Sequence, residues 1–428
     1  MSSWQTKILP PQYAAIKAGT RHICRNGLLF AAAFLTGLAI AATARAQEFE
    51  PAAILAKSFP AMRDFRRATK PEVAALEARI DADEHAGADR ACLRQAVTEL
   101  RWIMNSSGDV AAAEAARTRL RALAASATTP AATVQDADGS YGPCVEAWFW
   151  KLDASTDRFL SDAAPPVSPR FLDRINDPAK LDGYLRGLLH SDLHRDGIDR
   201  RKELNIASAD LVRLVLRHRP LGYPWQPGLD QVVRRFIAEA QDPATGFFGE
   251  RYRQGDIEIQ TPDLSMTFHM ARYMDGAIDH WPALIRHLIA IKDRQYPHGW
   301  LDADGMTSHN NYDVVTLFRL GWPKLDTDER AAVAVENARL LAWALGTALG
   351  PDGTIKTRAD GESWPDALYF TVGFLDEMGF FDPAKRYWTD QPLPDPARIR
   401  AGLLAQLRQL PHGDPMGSAA LERLGVER

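Results

Sequence analysis

The chain has 428 residues, of which 46% are hydrophobic and 25% charged, and its formal net charge is −4 at pH 7. This composition is that of a globular protein able to bury a full-sized core, so disorder is excluded as the default state. The slightly acidic balance leaves no basic footprint for nucleic acid. A protein with this charge is best suited to neutral or weakly charged ligands. A net negative charge still allows a local basic pocket.

The first 46 residues carry five basic side chains and no acidic one, and an apolar run from Gly27 to Ala42 follows the basic part. The run ends in Ala44-Arg45-Ala46. This order of basic region, apolar region and small-x-small site is that of a secretory signal peptide, and it predicts cleavage before Gln47. An uncleaved anchor is the alternative, although the apolar run is slightly short for one. We therefore expect a periplasmic or secreted protein with no membrane contact once the signal is removed.

Residues 47–130 are rich in Ala, Arg, Glu and Leu, and their apolar side chains recur at helical spacing. The clearest example is Leu93, Val97, Leu100 and Ile103. This pattern predicts an N-terminal segment of amphipathic helices.

Two cysteines, Cys92 and Cys144, remain when Cys24 leaves with the signal. An even pair in an oxidising compartment predicts one disulfide. Two buried reduced thiols are the alternative.

The third segment, residues 131–428, contains glycine turns that recur about every 50 residues. These turns are centred on Gly197, Gly246, Gly299 and Gly353. An aspartate that opens an apolar run follows each turn after about 13 to 17 residues, as expected for a helix start. These aspartates are Asp210, Asp263, Asp313 and Asp366. A period of this length predicts helical hairpins with one elaborated loop each. Asp138-Gly139 is a fainter earlier copy.

With turns such as Thr245-Gly246-Phe247-Phe248-Gly249, this segment resembles the (α/α) toroid proteins. That group includes glycoside hydrolases and polysaccharide lyases as well as terpene cyclases and prenyltransferases. The resemblance implies an all-α fold in which helical hairpins form a ring. It also implies a ligand cavity at the end of the ring where the inner helices start, lined by the loops that precede them.

The stretch Thr307–Asp313 concentrates an imidazole, two amides, a phenol and a carboxylate. The predicted catalytic residues are Asp263, Asp313, His309 and Tyr312. For hydrolysis, Asp263 and Asp313 form the acid and base pair that glycosidases require. For elimination, His309 and Tyr312 exchange protons while Asn310 or Asn311 holds the uronate. The structural alternative is that Ser308 or Asn311 caps a helix and Asp313 favours its dipole.

The remaining predicted site residues come from the equivalent loops and helix starts. His269 and Arg272 share a helical face with Ser265, and such a polar face points at water, a partner or a cavity. Tryptophans of these loops could stack on sugar rings or pack under the turns. The predicted substrate-binding residues are Asn310, Asn311, Trp300, Glu203, Arg201, His269, Arg272 and Trp364.

Other local signals are structural or weak. Thr261 and Pro262 look like the N-cap and first turn of a helix. Ser363-Trp364-Pro365-Asp366 fits a capping box. The stretch Asp192–Glu203 has EF-hand spacing apart from His194, but we predict no metal and no cofactor.

We therefore predict an exported glycan-processing enzyme, either a glycoside hydrolase or a polysaccharide lyase, acting on an oligo- or polysaccharide. One alternative is a terpenoid cyclase-like or isoprenoid-binding protein, which the glycine-aromatic turns also fit. The other is a non-catalytic periplasmic binding or assembly protein that keeps the ring as a scaffold, because fold does not decide function.

Overall fold

A computed structural model describes residues 50–85, 88–126, 134–160, 164–217, 219–220, 222–358, 362–410 and 414–426. The predicted signal peptide lies outside these residues. The described part is mostly helical, which confirms the all-α prediction. Residues Pro51–Arg428 form one compact unit. No helix in the described ranges is long and apolar enough to span a bilayer.

Four helices form the N-terminal part: α1 (Pro51–Ser58), α2 (Pro60–His85), α3 (Ala91–Ser106) and α4 (Val110–Ala125). The apolar spacing of α3 places Leu93, Val97, Leu100 and Ile103 on one buried face. That face packs against α2 and α4 in a small hydrophobic core. The predicted amphipathic helices are therefore present.

Two kinds of link join this part to the rest of the chain. Cys92 and Cys144 lie at disulfide distance, with their Cα atoms 5.5 Å apart, so the structure supports the predicted bridge. Helix α5 (Trp148–Phe159) has no cap from its own N-cap residue. Instead Glu99 of α3 accepts the N–H groups of Glu146 and Ala147 at 2.8 and 2.7 Å. A glutamate distant in sequence therefore caps the first helix after the N-terminal part.

We expect Glu99→Gln to lower the free energy of unfolding by about 2 kcal/mol, because the carboxylate is buried and charged hydrogen bonds contribute more than neutral ones. Its second oxygen also pairs with Arg119. Urea denaturation measures the change. Glu114→Gln is the matched control, because Glu114 is half exposed and pairs loosely with Arg117. Equal effects of the two substitutions would contradict the capping role.

The remaining helices form two alternating rows. The odd row comprises α5, α7 (Arg201–Leu211), α9 (Leu264–Tyr273), α11 (Ser308–Gly321), α13 (Trp364–Glu377) and α15 (Pro415–Arg423). The even row comprises α6 (Pro178–Leu188), α8 (Leu229–Ala240), α10 (Trp281–Ala290), α12 (Thr327–Trp343) and α14 (Pro396–Leu407). Helices of the odd row contact one another in chain order. Nearly every residue of α11 is buried, whereas α12 exposes one side, so the odd row lies inside.

Short elements complete the described fold. Two π-helical segments, Val212–Arg217 and Ala344–Ala348, extend α7 and α12, and three 3₁₀ turns are Arg170–Arg174, Trp322–Lys324 and Pro383–Lys385. Strands β1 (His190–Ser191), β2 (Arg251–Gln254) and β3 (Ile257–Gln260) form one small sheet. Strand β2 pairs parallel with β1 and antiparallel with β3. The sheet sits in the loops that precede α7 and α9.

The glycine turns are partly equivalent. At Gly139 and Gly353 the preceding aspartate accepts the N–H of the following residue, at 2.9 and 3.0 Å, and φ is 83° and 85°. Such left-handed backbone favours glycine. The fainter copy at Gly139 is thus a true counterpart of the last turn. Gly299 differs because its φ is not positive; a Cβ there would overlap the backbone oxygen of Arg294.

Candidate functional site

Several odd-row helices contact one another near their starts. Arg201 opens α7 and pairs with Asp263, which precedes α9. His309, in the first turn of α11, stacks on Phe370, in the middle of α13, with the ring centroids 4.0 Å apart. The charge of Asp414, the N-cap of α15, acts on Asp366 in the first turn of α13. The starts of α7 and α9 therefore lie together, and so do the starts of α13 and α15.

The aspartates do not all mark these starts. Asp210 lies in the last turn of α7, so the prediction that it opens a helix is wrong. Asp313 is the sixth residue of α11, whose N-cap is Thr307 rather than Ser308 or Asn311. Aspartate position was a poor guide here because the loops between turn and helix differ in length.

Asp263 has two structural contacts. It is itself the N-cap of α9 and accepts the N–H of Met266 at 2.9 Å, so the prediction of Thr261 as the cap is wrong. Its other oxygen lies 2.6 Å from Nε of Arg201. The Asp263 side chain is fully buried. Both of its oxygens are thus engaged inside the protein.

Asp313 has a different environment. It is 1% exposed, and Tyr296 donates a hydrogen bond to its Oδ2 at 3.1 Å. Burial raises the pKa of Asp313 well above its ordinary value, and this outweighs the opposing hydrogen bond from Tyr296 and the charge of Arg272. Its Oδ1 has no partner in the described part of the chain. Asp313 therefore holds its proton to higher pH than an exposed aspartate does.

Because Asp313 binds its proton more tightly in the folded state, it should make folding pH-dependent. The tighter proton binding by Asp313 stabilises the folded state fully below the ordinary pKa of 3.8. This stabilisation declines as the pH rises toward the raised pKa of the folded state. We expect Asp313→Asn to remove this decline. The melting temperature of the variant minus that of wild type should therefore be more positive at pH 7 than at pH 4. Calorimetric melts at both pH values test this. An equal difference at both pH values would show an unshifted carboxylate.

Two imidazoles lie on the inward surface of the odd row. His269 contacts Asn205 Oδ1 through Nδ1 at 2.9 Å and stacks on Tyr273. Burial, reinforced by the charge of Arg272, lowers the pKa of His269 to about 3. Burial, with the charge of Lys202, lowers the pKa of His309 to about 4. Both rings are therefore neutral near pH 7. His309 and Asp313 are one helical turn apart, as predicted, and His309 lies 5.9 Å from the Tyr296 ring.

A cluster of arginines and tyrosines lies beside them. Arg272 donates to the hydroxyl of Tyr369 at 3.1 Å, and its guanidinium lies 5.6 Å from the ring of Tyr312. Arg423 donates to the hydroxyl of Tyr312 at 2.8 Å. Burial opposes ionisation of Tyr369, but Arg272 and Arg423 lower the pKa of this phenol below its ordinary value. By contrast, burial raises the pKa of Tyr312, whose ring is fully enclosed.

Asp153 on α5 and Lys202 on α7 lie on helices that contact each other. Both side chains are exposed to solvent. The surrounding protein raises the pKa of Asp153 to about 6, against the opposing charge of Lys202, and lowers the pKa of Lys202.

Several predicted site residues lie elsewhere. Trp300 is fully buried and donates its indole N–H to Leu288, so it packs in the core rather than on a rim. Asn310 is buried and donates to the Trp300 carbonyl. Glu203 lies in the first turn of α7 and accepts a hydrogen bond from Tyr184. Trp364 opens α13 and packs against the core.

Asn311 is buried without any exposed surface, and neither of its amide atoms has a partner among the described residues. Among the predicted residues, the structure brings together Arg201, Asp263, Asp313, His309, His269, Arg272 and Tyr312.

Sequence reasoning missed Tyr369, Tyr296, Lys202 and Arg423. Tyr369 could have been found, because it lies three residues after Asp366 and therefore on the same face of α13. Lys202 adjoins the predicted Arg201. Tyr296 and Arg423 carried no local signal, since their partners lie on other helices.

No family model, curated protein or solved structure matches the chain. The function must therefore be argued from the site.

Proposed function

We propose that the chain is an exported glycan-processing enzyme that cleaves a uronate-containing chain by β-elimination. The single observation that carries this proposal is the arrangement of Arg272 and Tyr369. Arg272 contacts a phenol and aromatic rings but has no carboxylate within ion-pair distance in the described ranges. A cation so placed suits an acidic group supplied by a ligand.

The proposed architecture is an (α/α) toroid. The alternation of an inner odd row and an outer even row supports it, as do the contacts of the odd-row helices with one another in chain order. Such an arrangement leaves a concave surface in the middle of the inner row, where Asp153 and Lys202 reach solvent.

The arrangement suits β-elimination because that reaction needs three things. The uronate carboxylate must be neutralised, and Arg272 supplies a positive charge for this. A base must remove the proton on the carbon next to that carboxylate, and Tyr369 as a phenolate accepts it. The bond to the leaving sugar oxygen then breaks, a carbon–carbon double bond forms, and Tyr369 returns the proton to that oxygen. Tyr369 ends the cycle as it began.

The residues suit hydrolysis by an aspartate pair less well. Asp263 caps α9 and pairs with Arg201, so neither of its oxygens is available to a water or a sugar. Glycosidase carboxylates must flank the scissile bond. Tyr369 likewise replaces Tyr312 as the proposed proton carrier, because the Tyr312 ring is fully enclosed.

Export remains part of the proposal. The Cys92–Cys144 pair supports it, because disulfides persist in oxidising compartments such as the periplasm. The basic and apolar start of the chain is the second support.

Incubating the protein with a panel of uronate-containing and neutral polysaccharides tests the proposal. Reducing ends and the ultraviolet absorbance of an unsaturated sugar are recorded together. Elimination raises both signals on uronate chains, whereas hydrolysis raises reducing ends alone. Reducing ends without absorbance, or cleavage of neutral chains only, would overturn the proposed reaction.

A further inference from the structure

A second cation faces solvent on α7, the helix that contacts the Arg272-bearing helix α9. Lys202 lies in the first turn of α7, and its side chain is exposed. Its ammonium lies 5.9 Å from the centroid of the Trp150 ring. Among the described residues, no carboxylate oxygen comes within 4.0 Å of it. An exposed lysine without an acidic partner among the described residues leaves its charge available to a ligand.

Lys202 and Arg272 lie on faces of α7 and α9 that meet. Asn205, three residues after Lys202, contacts His269, three residues before Arg272, at 2.9 Å. The charges of both cations act on His269, and the charge of Lys202 also acts on His309. His309 in turn stacks on Phe370, the neighbour of Tyr369 in sequence. The two cations therefore flank one stretch of the inner surface.

The other basic side chains of this surface are already neutralised. Arg213 pairs with Asp157 and Asp210, and Arg423 pairs with Asp376 and Glu377. Lys202 and Arg272 differ from them in having no ion pair in the described part of the chain. Two cations without an ion pair among the described residues, on helices that contact each other, match two acidic groups of a single ligand.

We infer that Lys202 forms a second subsite, which binds the carboxylate of another uronate unit of the chain whose reacting unit is held at Arg272. This inference rests on the proposed function. It makes the ligand a polyuronate with repeated acidic units rather than a mostly neutral chain with one uronate. Asp153, exposed on the neighbouring helix α5, can accept hydrogen bonds from the hydroxyl groups of the same unit.

Calorimetric binding of defined oligosaccharides tests the subsite without requiring turnover. The probes are tetramers of galacturonate, mannuronate and glucuronate, with a neutral glucose tetramer alongside. We expect the Lys202→Met variant to bind the preferred acidic tetramer about tenfold more weakly, the loss expected for one charged hydrogen bond. Lys202→Arg should keep most of the affinity. Lys180→Met is the matched control, because Lys180 is an exposed lysine in the first turn of the outer helix α6.

The outcomes separate the two proposals. Unchanged affinity in Lys202→Met overturns the subsite, whether or not the wild-type protein cleaves the tetramer. Weaker binding by Lys202→Met, with no unsaturated product from wild type, supports the subsite and overturns the elimination reaction. Equal wild-type affinity for neutral and acidic tetramers, or no binding of any acidic tetramer, overturns the subsite as well.

Discussion

Tyr369→Phe should reduce the rate of unsaturated-product formation by about 10² to 10⁴-fold, the usual contribution of a positioned general acid or base. The substitution removes only the hydroxyl that Arg272 contacts and leaves the ring in place. The melting temperature should therefore change little. Initial rates on the best substrate of the polysaccharide screen, together with a thermal melt, measure both quantities.

Tyr223→Phe provides the matched control for this experiment. Its hydroxyl is also bonded to a charged residue, Asp173 at 2.7 Å, but it lies outside the odd row. We expect this variant to keep full activity. If Tyr369→Phe retained wild-type rates, Tyr369 could not be the base, and the elimination mechanism as proposed would fail.

Reduction of the Cys92–Cys144 bond should lower the free energy of unfolding by about 4 kcal/mol. The two cysteines are 52 residues apart in the sequence. The chain-entropy model gives this value for a bridge that closes a loop of that length. Urea denaturation with and without reductant measures the difference. The double variant Cys92→Ser, Cys144→Ser should be as unstable as the reduced protein and insensitive to reductant. A wild-type denaturation curve unaffected by reductant would show that the bridge does not form.

Local pattern predicted the helices well, because helical spacing and turn chemistry act over a few residues. The buried face of α3 and the glycine turn at Gly353 are examples. The chemistry of Asp263 was harder to predict. An aspartate before an apolar run looks the same in the sequence whether it caps a helix or acts in catalysis. For Asp263 the contact with Arg201 shows that the carboxylate is paired inside the protein, and this contact cannot be read from the local sequence.

The centre of the site depends on contacts that local sequence cannot specify. Arg272 and Tyr369 are 97 residues apart, and Arg423 and Tyr312 are 111 apart. The overall acidic charge pointed to neutral ligands, yet Lys202 and Arg272 have no ion pair among the residues that the structure describes. Net charge is an average over the whole surface, so it does not report on one pocket.

The cap that Glu99 gives to α5 has a consequence for how the chain is assembled. Helix α3 leaves the ribosome before α5, so the carboxylate that will receive the N–H groups of the two residues before α5 is already held in a helix when those groups emerge. The N-terminal helices can therefore guide the start of the first inner helix. We expect a fragment that starts at residue 131, which lacks this guide, to fold slowly and to aggregate.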